Sequence, residues 1–163
     1  MLKNLTDFLG KLIDKSGIIS SFLIILLILL VSTSVVLRYV FSIGFIWLQD
    51  LYIWIHAIFI LLGISFTFKL DQHVRIDVYY RILKKKIKKK INFFGGLFLG
   101  IPLSLIIILN GYDYFTRSLS LNEGSKETGG LPNIFILKFF ILLMGILLFL
   151  EILRQILNFL RNK

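Results

Sequence analysis

The sequence predicts an all-α, polytopic membrane protein with four transmembrane helices, both termini cytoplasmic, and amphipathic helices at the membrane interface. Three observations predict it. The 163 residues are 57% hydrophobic and 17% charged, with a mean hydropathy of +0.87, far from a soluble domain of this size. Four apolar runs each approach the roughly 20 residues that a helix needs to cross a bilayer. The net charge of +10 collects beside those runs rather than inside them.

Charge placement sets the orientation. Lys69–Lys90, KLDQHVRIDVYYRILKKKIKKK, carries nine cations against Asp71 and Asp77. Lys and Arg in short loops resist translocation, so this loop is expected in the cytoplasm. Together with the two terminal segments it holds fifteen of the nineteen Lys and Arg. The opposite side has Arg38, Arg117, Lys126 and Lys138. In a soluble protein such a charge would suggest nucleic acid; beside apolar runs it suggests lipid headgroups instead, so no nucleic-acid partner is expected. The absence of cysteine excludes disulfides, iron–sulfur clusters and cysteine-based zinc sites. No removed signal peptide is expected, because no short apolar run near the N-terminus leads to a small-residue cleavage site.

The elements follow in order, as one membrane domain over 1–163. Leu2, Leu5, Leu9, Leu12 and Ile13 share a helical face in Met1–Ser16, which suits a short amphipathic helix in the headgroup region or a polar lead-in to the first span. Residues 17–38 are the first span, with Ser32, Thr33 and Ser34 in its outer half. Residues 45–68 are the second, where Trp47, Tyr52 and Trp54 suit a membrane–water boundary. Their brief connector makes an antiparallel hairpin. In the cytoplasmic basic loop 69–90, Tyr80, Leu83, Ile87 and Ile91 recur at helical spacing. They predict a surface helix that turns Arg75, Arg81, Lys84, Lys85, Lys86, Lys88, Lys89 and Lys90 toward anionic headgroups. Residues 91–115 form the third span, in which Gly96 and Gly100 offer a close-packing face and Pro102 predicts a kink. Residues 116–132 are polar and Gly-rich and read as a periplasmic loop. Residues 133–153 are the fourth span.

Few polar groups fall at membrane depth. His56 lies mid-span on one face with Gln49 and Ile53. An ionisable group there is a functional candidate, but a haem pair would need a second histidine on a facing helix, and the other histidine, His73, is in the basic loop. Hydrogen bonding within a helix interface is the simpler role. Arg38 and Asp50 flank the first hairpin and are expected to pair there, which lowers the cost of holding either near hydrocarbon. Asn110, Asp113 and Arg117 make one face of the third span polar. Lys138 is expected to snorkel outward, and Glu151 to pair with Arg154 and Gln155. No nucleophile–base set, phosphate loop or zinc-binding HExxH is present, so no enzyme, cofactor or metal site is expected. No carboxylate sits mid-membrane for ion coupling, and no inverted repeat of broken helices is visible.

Short motifs then add a resemblance. They are Arg38-Tyr39-Val40-Phe41, Trp47-Leu48-Gln49-Asp50-Leu51, Asp71-Gln72-His73-Val74-Arg75-Ile76-Asp77, Glu123-Gly124-Ser125 and Gly129-Gly130-Leu131-Pro132, with Lys138. In this order and placement the chain resembles, over essentially its whole length, the small membrane subunit (DctQ-like) of tripartite ATP-independent periplasmic (TRAP) transporters. It departs at Asp50, where the family pattern more often has Glu. The resemblance implies a subunit of the bacterial inner membrane that neither binds nor moves substrate alone. It implies packing against a large multi-span subunit during sodium-coupled uptake of an organic acid. It also implies docking of a periplasmic substrate-binding protein, with Arg117, Glu123, Lys126 and Glu127 as the exposed candidates. Two other classes stay open at this point. A membrane redox or cytochrome-like anchor would show a haem or quinone signal, and an autonomous exporter would move substrate in liposomes.

Overall fold

The computed structural model describes residues 2–73, 80 and 82–161. Among them every regular element is helical, and four stretches are long and apolar enough to cross a membrane. Helix α1 (Leu2–Tyr39) runs up and α2 (Ile46–Lys69) returns. The third span consists of α3 (Lys85–Gly95), a five-residue π-helical turn (Gly96–Gly100) and α4 (Ile101–Ser120). Helix α5 (Phe135–Arg161) closes the chain. The α1–α2 and α4–α5 hairpins join where α2 and α5 pack together, and the start of α1 also reaches α5. Both described chain ends and the lysine-rich start of α3 therefore lie at one end, called the basic end below. The connector 40–45 and the loop 121–134 lie at the far end.

Small residues set the helix spacing. On α1, Thr6, Gly10, Ile13, Gly17 and Ser20 recur every three or four positions and are all buried. A side chain at Gly17 would overlap the Phe66 ring, and Ser20 Oγ donates to the Phe59 carbonyl at 2.9 Å. On α4 the buried positions are Ser104, Gly111 and Ser118, a seven-residue repeat that marks one face. A Cβ at Gly111 would lie 3.2 Å from Leu142 Cα, and one at Gly145 would lie 2.8 Å from Ile107 Cγ2. Without a hydrophobic force between helices in lipid, this close backbone approach supplies the dispersion contacts that hold the pair.

Gly96 and Gly100 do form the expected packing face. A Cβ at Gly100 would lie 2.9 Å from Ile152 Cδ1. Instead of a simple kink at Pro102, the chain widens into the π turn just before it, with Ile101 N–H bonding back to the Gly96 carbonyl. Proline lacks an N–H and its ring crowds the carbonyl four residues earlier, so a wider turn at this point relieves both problems.

The expected surface helices are not separate elements. Of the two readings of residues 2–16, the lead-in to the first span is the one observed, not a helix in the headgroup plane. These residues are the first turns of α1, which is unbroken for 38 residues, about 57 Å at the helical rise and well beyond the hydrocarbon thickness. Part of their apolar face is used within the protein: Leu9 is 6% exposed and Ile13 is fully buried, while Leu5 and Phe8 remain exposed. Likewise Lys85–Lys90 are not a detached surface helix but the opening turns of the third span. Arg75, Arg81 and the Val74–Val78 alternation lie outside the described residues.

Candidate functional site

The far end is built around the loop 121–134. Helix α4 ends where Asn122 takes φ 46°, a left-handed conformation that asparagine tolerates better than most residues. The chain turns back, and Glu123 N–H bonds the Ser118 carbonyl. Within the loop, Ser125 N–H bonds Leu131 O and Ile134 N–H bonds Glu123 O, so the loop is folded on itself before α5 begins.

Two carboxylates latch this loop to the helices. Asp50, one turn into α2, accepts the Leu131 backbone N–H on Oδ2 at 2.9 Å. A side chain at Gly130 would overlap Asp50 Oδ2 and Ser125 Oγ, so glycine is required for this approach. Glu123 Oε2 accepts from Lys138 Nζ at 2.5 Å and from the buried Ser118 hydroxyl at 2.8 Å. The Lys138 ammonium also lies over the Tyr114 ring, 3.9 Å from its centroid, a cation–π contact. Lys138 first, and then the Ser118 hydroxyl, hold the Glu123 carboxyl below the usual glutamate range.

The expected Arg38–Asp50 pair is not formed: no ion pair joins them among the described residues. Arg38 is exposed on the last turn of α1. The connector turns sharply at Ser42 (φ 56°), with Ile43 N–H capping the Leu37 carbonyl. Asp50 is taken instead by the backbone N–H of Leu131. Lys138 does not snorkel away, being 7% exposed and closed over by Glu123. Among the four docking candidates, Glu123 is engaged in this latch, whereas Arg117, Lys126 and Glu127 are exposed around it. The motif residues Asp50, Glu123, Ser125, Gly130, Leu131 and Lys138 thus meet in one place, although they come from three stretches of sequence.

At the basic end one pair joins two helices and another lies within α5. Lys69 Nζ donates to Asp14 Oδ1 at 2.6 Å and to the Gly10 carbonyl at 2.9 Å, tying α2 to α1. Glu151 is 0% exposed and its carboxylate takes Arg154 Nε at 2.7 Å, Arg154 Nη2 at 2.6 Å and Gln155 Nε2 at 2.9 Å. His73 Nε2 donates to the Ile64 carbonyl at 3.1 Å near the end of α2. Lys84, Lys85, Lys86, Lys89 and Lys90 are exposed, and Lys88 is half-buried with its ammonium 5.0 Å from the centroid of the Tyr80 ring.

Midway along α2, His56 is exposed on the outer face, the same face as exposed Gln49 and Ile53, and its ring stacks on Phe59 at 6.4 Å. Asn110, Asp113 and Arg117 are exposed on α4 and border a shallow groove. Asn110 Nδ2 donates to its own helix, at Ile106 O.

Four apolar helices, intrahelical and interhelical latches and close glycine contacts define a multi-pass membrane protein whose polar residues brace its own fold. Comparison gives the class a family. The family model described as tripartite ATP-independent periplasmic transporters, DctQ component, matches residues 27–162. The chain belongs to that family: it is a small membrane subunit of a TRAP transporter, a transport component and not an enzyme. A search of curated proteins returned no match.

Proposed function

We propose that this subunit is the static partner of a large multi-span transport subunit in the bacterial inner membrane, serving sodium-coupled uptake of an organic acid. The whole chain acts as one membrane domain, oriented with its basic end in the cytoplasm and its far end in the periplasm. The observation that carries this reading is the placement of polar side chains on outward faces at membrane depth. His56 on α2 and Asn110 on α4 are exposed on this chain alone, with Gln49 and Asp113 exposed on the same faces nearer the far end. Polar groups facing hydrocarbon are costly and ordinarily face protein or a water-filled cavity. By contrast, Phe22, Ile25, Ile28 and Leu29 on α1 make an exposed apolar surface that suits lipid.

The latched loop supports a docking role for the periplasmic binding protein. A loop held at Asp50 and Lys138 presents Arg117, Lys126 and Glu127 on a fixed frame, so a soluble partner meets little ordering cost. Glu123 serves this surface by holding it, not by contacting the partner.

Purification in mild detergent tests the main reading. A larger membrane protein should accompany the chain, and His56→Leu with Asn110→Leu should change its retention. A chain that purifies alone and moves substrate in liposomes by itself would contradict the proposal. For docking, charge reversal at Lys126 and Glu127 should reduce uptake at limiting binding protein while leaving the membrane complex intact.

A further inference from the structure

At the basic end a cavity of about 770 Å³ lies between the start of α3, the last turns of α5 and the end of α2. Lys85, Lys86, Lys89 and Lys90 line it. Their spacing puts all four on one side of α3, and none has a carboxylate partner among the described residues. Helix α3 also begins here, so its free N–H groups and dipole add to the positive potential. The inner wall is apolar. Phe93 stacks on Phe159 with centroids 4.5 Å apart, and Ile152 and Ile156 are buried beside them.

Four cations within two turns repel one another, and an anion among them relieves that repulsion. A small soluble anion would use the lysines but leave the aromatic wall wet. A molecule with a phosphate at one end and a hydrocarbon chain at the other uses both. Basic pockets between helices at the cytoplasmic boundary have this chemistry. We propose that the cavity binds one anionic phospholipid of the adjoining leaflet, its phosphate among Lys85, Lys86, Lys89 and Lys90 and its upper acyl chain against Phe93 and Phe159. The inference needs only this chain and a bilayer, so it stands apart from the transport reading.

The test uses the full chain, delipidated in an uncharged detergent, with native mass spectrometry to count retained lipid. Dioleoylphosphatidylglycerol should be retained about tenfold over dioleoylphosphatidylcholine. The set Lys85→Gln, Lys86→Gln, Lys89→Gln and Lys90→Gln should bring that ratio close to one. The corresponding Lys→Arg set should keep the preference, as should Lys3→Gln, Lys11→Gln and Lys15→Gln, which remove charge at the start of α1. Equal retention of the two lipids, or full selectivity in the four-glutamine variant, would overturn the proposal. Displacement of the lipid by an equal concentration of glycerol phosphate would make this a site for a soluble anion instead. A wild-type complex that loses phosphatidylglycerol while the isolated chain keeps it would assign the pocket to an acidic segment of the membrane partner, again overturning the lipid reading.

Discussion

At the far end Lys138 closes on Glu123, and Asp50 closes on the Leu131 amide. At the basic end Lys85, Lys86, Lys89 and Lys90 stand exposed, with no carboxylate partner among the described residues. The difference separates two uses of charge in one small membrane protein. Charges at the far end shape a loop, which on the proposed reading gives a soluble partner a defined surface. Charges at the basic end are left unpaired, and on the proposal above the anionic headgroups of the bilayer supply their counter-charge. The glycine contacts of α4 and α5, with Glu151 toward the basic end, keep the frame that both depend on.

Removing the frame should weaken both ends together. Glu151→Leu leaves Arg154 without its carboxylate in a mostly buried position, and breaking such a pair costs about 3–5 kcal/mol. Unfolding in detergent should show that loss, and Glu151→Leu with Arg154→Leu should recover most of it. Next is Gly145→Leu, which drives a side chain into Ile107 and Ile108. Overpacking of this kind costs about 1–3 kcal/mol, read as a lower unfolding midpoint with both ends affected alike.

A change confined to one end sharpens the contrast. Asp50→Ala leaves the Leu131 N–H without its acceptor, a loss of about 1–2 kcal/mol, and should speed protease cleavage within 121–134. Arg38→Ala should not, because Arg38 takes no part in the latch. The smallest effect is the response to pH. The Glu123 carboxyl is held below its ordinary value of 4.5, so its ionised form favours the fold. That contribution is complete above the unfolded value and is lost as pH falls through the lower folded value. Loop protection should therefore persist to below pH 4.5 and then fall, while Glu123→Gln should be weak and flat across the same range.

The helices were legible because hydropathy and length determine them: each apolar run lies within one of the four long helical stretches. The Glu151–Arg154 pair was legible because its partners are one turn apart. Helix ends were less so, since the apolar window says where lipid begins, not where hydrogen bonding stops. Lysines at 85–90 continue a helix as readily as they coat a membrane surface. The far-end latch was hidden for a different reason. Asp50 binds a backbone N–H, which no side-chain pattern reveals, and Lys138 finds Glu123 only once the loop has folded. The Ser104, Gly111, Ser118 repeat was a readable signal of the α4–α5 contact, and the polar face of Asn110, Asp113 and Arg117 on the same helix drew attention away from it.

Orientation underlies the proposed docking surface and decides which leaflet adjoins the lysine cavity, and the absence of cysteine makes it directly measurable. Lys126→Cys and Lys89→Cys, each introduced singly, can be treated with a membrane-impermeant maleimide in intact spheroplasts. Lys126→Cys should be labelled at once, and Lys89→Cys only after the membrane is permeabilised. Labelling of Lys89→Cys in intact spheroplasts, with Lys126→Cys protected, would contradict this orientation.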